Sequence, residues 1–276
     1  MEIKAVFFDI DGTLVNDSRM VLKSTEKAIR ALKEQGIFVG LATGRGPFFV
    51  RPFIERYDFD FAVTYNGQYI FTKDKILSAS PIDKGNLRRL IEYAKKHRIE
   101  IALGTEEGVE GSRIMSFGMS PVSQWSARFV PKGFSKAVSQ GFNKVVSKAV
   151  PQDQKQLQQI AQGPVYQVLL LASPKDTQKV EQAFPELKFT RSSPFAADVI
   201  NPDNSKLEGI RIVGEEFGFS MDQVMAFGDN LNDLHMMQVV GHPVAPENAR
   251  PEILELAETV IGHHKDQSVI AYMEGL

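Results

Sequence analysis

Cysteine is absent from all 276 residues, which removes disulfides, thiolate nucleophiles, iron–sulfur clusters and sulfur-ligated zinc. Any metal must be held by oxygen or imidazole. Net charge is nearly absent as well: 32 Lys and Arg face 34 Asp and Glu, a formal −2. No global positive field is available to hold a polyanion, so no nucleic-acid partner is expected. Long apolar runs are missing too, and the N-terminal stretch Ala5–Phe8 is cut by Asp9. Neither a spanning helix nor a secretory signal is read, so the expectation is a cytoplasmic chain with no membrane association. Nothing in the composition calls for an obligate protein partner. What remains is ordinary for a globular protein, 43% hydrophobic and 24% charged, with length for about two domains.

The chain opens on a buried-strand pattern, Ile3 to Phe8, that ends abruptly in Asp9-Ile10-Asp11-Gly12-Thr13. Ser24 or Thr25 is placed to cap a helix with apolar positions Ala28, Ile29 and Leu32, stopped by Gly36. A second strand, Ile37 to Ala42, runs into Thr43-Gly44-Arg45-Gly46-Pro47, then a Phe-rich helix to about Tyr57 and a third strand, Phe61 to Tyr65. This alternation predicts an α/β, Rossmann-like parallel-sheet core built by right-handed crossovers. Asn66-Gly67 marks a turn into short hairpins. A mixed order of helices and strands follows and predicts an inserted α+β unit over 81–196, flanked by one domain made of 1–80 and 197–276. The sheet rhythm returns with a helix from Lys206, a strand Gln223 to Phe227 and the polar loop Gly228-Asp229-Asn230-Leu231-Asn232-Asp233.

Ligands of open parallel sheets sit at the carboxyl ends of the strands. Asp9, Asp11, Thr43, Gly44, the Asn66-Gly67 turn, Asp229, Asn232 and Asp233 all fall at such ends, and Lys206 opens a helix whose first turn can reach the same crevice. Carboxylates so crowded repel one another unless a cation intervenes, and with oxygen donors alone the natural ion is Mg²⁺. With the charge repulsion relieved, Asp9 can attack a phosphate ester as nucleophile. Asp11, two residues on, is placed to serve as general acid and then base. Thr43, the Gly44 amide and Lys206 are candidates to hold the phosphoryl oxygens, and Arg45 could reach them or form a surface salt bridge instead.

Asp9-Ile10-Asp11-Gly12-Thr13, Ala42-Thr43-Gly44-Arg45, Ser205-Lys206 and the Gly228 to Asp233 loop together resemble the four ordered motifs of the haloacid-dehalogenase superfamily, and among its members the Cof-type phosphatases. The resemblance covers residues 1 to 80 and 197 to 276. It implies a cap domain inserted after the third strand that governs substrate specificity. It also implies Asp9 as nucleophile, Asp11 as acid/base, and Mg²⁺ bound by Asp9, Asp229 and the Asp11 backbone carbonyl. Asn232 and Asp233 would support the metal and phosphate from behind. The function so implied is Mg²⁺-dependent hydrolysis of a small phosphorylated metabolite, a sugar phosphate or phosphorylated cofactor, through an aspartyl-phosphate.

Other readings stay open at this point. A calcium loop starting at Asp9 fails, because its sixth and twelfth positions would be Leu14 and Met20. A phospho-accepting signalling domain uses similar groups, a phosphomutase is a near variant, and an inert binding protein would keep the fold without turnover. Asp229 alone reads as a helix cap, Asn66-Gly67 as a plain turn, and His263-His264 as surface residues pointing apart. From Gly111 to Gln152 no acid occurs while Arg113, Arg128, Lys132, Lys136, Lys144 and Lys148 do, with Trp125 among them; this basic stretch could steer an anion or simply be solvated.

Overall fold

The computed structural model describes residues 2–14, 23–111, 154–193, 196–266 and 268–275. They divide into two compact units, one from 1–80 with 200–276, the other from 81–199. Trp125 and the basic residues between 113 and 148 lie outside the described residues.

In the first unit β1 (Ala5–Phe8), β2 (Phe38–Ala42), β3 (Phe61–Thr64), β4 (Tyr69–Thr72) and β5 (Ile76–Ala79) come before the second unit. The second unit holds β6 (Glu100–Gly104), β7 (Val109–Glu110), β8 (Gln167–Leu171), β9 (Lys188–Ser193) and β10 (Ala196–Ile200). The chain then returns for β11 (Val224–Phe227), β12 (His242–Pro246) and β13 (Thr259–Ile261). The first sheet runs β13-β12-β11-β1-β2-β3-β4-β5. It is parallel from β13 to β3, and β4 and β5 turn back antiparallel.

β1 and β11 are buried at every position, as parallel strands covered on both faces must be. Ala5, Phe7, Phe61 and Val63 pack with Ile210 and Val213 of the helix Lys206–Phe217 and with Met236, Met237 and Ile253. The Phe7 and Phe61 rings stack at 5.1 Å between centroids. The helix Lys23–Glu34 packs on β2 and on the helix Ser268–Met273. Ser24 and Thr25 are inside it rather than at its cap. Buried Thr25 extends the stripe of Ala28, Ile29 and Leu32 by one turn, so the helix gains by starting earlier.

The second unit is a five-stranded sheet, β7-β6-β8-β10-β9, with its own core of Leu90, Ile101, Leu157, Val168, Val180 and Val199. β10 belongs here: Ala196 to Val199 pair antiparallel with Leu171 to Val168. The return to the first sheet therefore comes after Val199, later than the apolar pattern alone places it. Among the described residues no helix is long and apolar enough to cross a membrane.

Candidate active site

β1 is flanked by β11 and β2 in the sheet, so the segments that leave their carboxyl ends are neighbours in space. Asp9 follows β1, Thr43 follows β2, Tyr65 follows β3 and Gly228 follows β11. The helix Lys206–Phe217, capped by the Ser205 side chain, starts with Lys206 in its first turn. Ser205 binds the Glu208 N–H at 3.2 Å, which fixes where the helix begins.

Lys206 is fully buried. Its ammonium donates to Asp9 Oδ1 at 2.7 Å and to Asp233 Oδ1 at 2.5 Å. An unpaired ammonium would be costly in such a place, and two carboxylates hold it protonated against that cost, which carries its pKa well above the ordinary lysine value. Asp233 is equally buried, and its Oδ2 accepts from the backbone N–H groups of Asp229 and Asn230, each at 3.0 Å. Both Asp233 oxygens are thus occupied in shaping the β11 loop and orienting Lys206. Asn230, not Asp229, is the cap of the short turn that follows; the Asp229 side chain is turned to other partners.

Those partners lie in the β1 loop. Thr13 Oγ1 donates to Asp229 Oδ1 at 3.0 Å. Gly12 has φ 82°, and a Cβ there would lie 2.4 Å from Asp229 Oδ2, so only glycine fits between the two loops. Asn248 Nδ2 ties down the Gly12 carbonyl at 3.0 Å. Burial pushes the Asp229 carboxyl up to about 7, with the charge of Asp233 adding to the rise, Thr13 and Lys206 opposing it and Asp11 adding again. Asp9 is pushed well above the usual carboxylate range by burial, against the pull of Lys206 and with the push of Asp233 and Asp229.

Asp9, Asp229 and Asp233 each offer a carboxylate oxygen, all within 4.8 Å of one another. Since Asp233 is committed, the second oxygens of Asp9 and Asp229 remain, without a protein hydrogen bond among the described residues. Two hard oxygens in a buried cluster of three carboxylates and one ammonium suit a divalent cation. The donor set fits.

The β2 loop supplies the opposite charge. Arg45 forks onto Asp11, Nε to Oδ2 at 2.6 Å and an Nη to Oδ1 at 2.5 Å. Buried Thr43 accepts the Arg45 N–H on its hydroxyl at 3.2 Å, and Gly44 sits half-buried between them. Every residue singled out from the sequence, Asp9, Asp11, Thr43, Gly44, Arg45, Lys206, Asp229, Asn232 and Asp233, thus lies in these four segments of one unit.

Three further residues were given no site role from the sequence. Thr13 stood in the motif without a role, and Asn248 carried no signal. Asn66, read as a plain turn residue, is buried and accepts from Asn232 Nδ2 at 3.2 Å. His263 and His264 do not point apart: their rings stack at 4.6 Å, and His264 Nδ1 lies 2.8 Å from Asn248 Oδ1. Both residues are half-buried rather than fully at the surface.

Comparison with known proteins agrees with this geometry. A family model described as haloacid dehalogenase-like hydrolase matches residues 6–273. The Bacillus subtilis (strain 168) protein named "Putative phosphatase YkrA" is 30% identical over 272 residues, covering 99% of this chain and 96% of its own. The Escherichia coli (strain K12) pyridoxal phosphate phosphatase YbhA is 25% identical over 285 residues, covering 99% and 98%. Among solved structures, the phosphatase-superfamily member BT1666 from Bacteroides thetaiotaomicron shares the fold with a TM-score of 0.80, at 22% identity and 99% and 95% coverage. The chain belongs to the haloacid dehalogenase-like hydrolases.

Proposed function

We propose that this hydrolase is a Mg²⁺-dependent phosphatase of small phosphorylated metabolites, acting through an aspartyl-phosphate on Asp9. The observation that carries the reading is Asp9 itself: one oxygen is held by Lys206 at 2.7 Å, the other makes no protein hydrogen bond among the described residues, and a carboxylate oxygen of Asp9 lies within 4.8 Å of one from Asp229. Asp9 and Asp229 would hold Mg²⁺, with the Asp11 carbonyl, and the ion would supply positive charge that offsets repulsion between carboxylate and phosphate.

The protein's own groups account for the rest. Lys206 fixes the Asp9 carboxylate and neutralises part of its charge. The free Asp9 oxygen attacks phosphorus, the P–O ester bond breaks, and the leaving alkoxide takes a proton from Asp11. To donate that proton Asp11 must leave the Arg45 fork, which frees the guanidinium for phosphoryl oxygens alongside Thr43, the Gly44 N–H and Asn232. Asp11 then takes a proton from water as the water oxygen attacks phosphorus, returning phosphate and the Asp9 carboxylate. The name of YbhA points to a phosphorylated cofactor as one substrate class, and sugar phosphates are the other. The unit 81–199 is inserted between the halves of the one that carries these groups, and we assign it substrate selection.

Purified protein should release phosphate from p-nitrophenyl phosphate, pyridoxal phosphate or sugar phosphates with Mg²⁺ present and not with EDTA. Asp9→Asn should abolish release while the fold is kept. Full turnover in that variant rejects the nucleophile, and a stable phosphoprotein without release favours signalling.

A further inference from the structure

Tyr65, Asn66 and Gly67, between β3 and β4, all have positive φ, at 49°, 54° and 99°. Two of the three are not glycine, and such a backbone is unfavourable for a residue that carries a Cβ, so the surroundings must hold it. They do so through the phosphate-site loops. The Tyr65 N–H donates to the Arg45 carbonyl at 2.9 Å and the Asn66 N–H to the Thr43 carbonyl at 3.0 Å. Gly67 abuts the start of the Lys206 helix so closely that a Cβ would lie 2.1 Å from the Ser205 carbonyl oxygen. Asn204 Nδ2 donates to the Gly67 carbonyl at 3.0 Å. The Asn66 side chain reaches the β11 loop at Asn232. One strained turn therefore touches the segments of Thr43, Lys206 and Asn232 together.

The contact to Asn232 is the informative one. Among the described residues it is the one hydrogen bond the Asn232 side chain makes, since Asn232 Oδ1 is buried without a partner. An amide with a single bond takes its rotation from that bond. Asn66 Oδ1 accepts, so Asn232 must turn its NH₂ toward Asn66, and the second N–H of that group is then set in direction as well.

We propose that Asn66 is a positioning residue for phosphoryl recognition: it sets the orientation of the Asn232 amide, and the left-handed turn 65–67 registers the Thr43, Lys206 and Asn232 segments on one another. The inference rests on the phosphatase reading, and Asp9→Asn separates the two. If Asp9→Asn stays active the reading fails; if it is dead and Asn66 variants are unaffected, only this inference fails.

Asn66→Gly keeps the backbone, which glycine adopts freely, and deletes the side chain. It should lower kcat/KM for p-nitrophenyl phosphate about 10-fold, the scale of an outer-shell contact, and weaken competitive inhibition by inorganic phosphate. Asn232→Ala should do the same, and the double variant should lose no more than the worse single one. Wild-type kinetics in Asn66→Gly, or losses that multiply in the double variant, overturn the proposal. Should Asn66→Gly fail to fold, Asn66→Asp keeps the acceptor oxygen; Asn232→Ala should then cost as much in that background as in the wild type, and no cost there also overturns it.

Discussion

Lys206 and Asp9 stand 197 residues apart in the chain, and their charged atoms meet at 2.7 Å inside the protein. Asp233 completes the group at 2.5 Å from the same ammonium. Removing the cation leaves two buried carboxylates facing each other. Lys206→Met should therefore destabilise the fold by about 3–5 kcal/mol as well as stop turnover. Urea denaturation followed by circular dichroism checks the first, and phosphate release the second. A variant as stable as the wild type would mean that the ion pair is offset elsewhere.

The Asp229 carboxyl, pushed up to about 7, gives a pH prediction with a definite sign. Its folded value lies above the unfolded one, so the folded state binds the extra proton between the ordinary carboxylate range and about 7. Metal-free stability from this group is therefore present at low pH and lost as pH rises toward 7. The same proton must leave before a cation binds, so Mg²⁺ affinity should rise through pH 7. Titration calorimetry at pH 6 and pH 8 measures this. Thr13→Val removes the hydroxyl that opposes the rise and should move the midpoint higher; affinity flat across this range would contradict the assignment.

Gly12→Ala tests the closeness of the β1 and β11 loops. The substitution forces a Cβ into Asp229 and into a left-handed backbone, at a backbone cost of roughly 1–2 kcal/mol. Mg²⁺ affinity should fall with it. An alanine variant that binds Mg²⁺ as the wild type does would show that the loops are free to separate.

Asp11→Asn should distinguish substrates by leaving group. A nitrophenolate departs without help, whereas an alkoxide needs a proton. Phosphorylation by p-nitrophenyl phosphate should thus survive better than phosphorylation by a sugar phosphate, as rapid-quench kinetics would record. Equal losses on both would remove Asp11 from the role of acid.

Much of this was legible in the sequence because it depends on local pattern. An apolar run ending in Asp9, or in Thr43, is a strand meeting its loop, and parallel sheets bring such ends together. Lys206 was legible as the opening residue of a helix, although its complete burial was not, since a lysine on a helix is usually solvated. Three features needed tertiary structure. The return to the first unit is expected at 197 until β10 is seen to pair antiparallel with β8 of the second. Ser24 and Thr25 look like caps until Thr25 is seen buried. Asn66 looks like a turn residue because Asn-Gly suits a solvated hairpin, and its partner Asn232 lies 166 positions away.

Where phosphorus resides during turnover decides whether Asp9 is the nucleophile. Acid-quenched Asp11→Asn enzyme, mixed with p-nitrophenyl phosphate and Mg²⁺, can be reduced with borohydride, which converts an aspartyl-phosphate to homoserine, and mapped by peptide mass spectrometry. Homoserine is expected at position 9 alone. Homoserine at another aspartate, or turnover with none formed at all, would contradict that assignment.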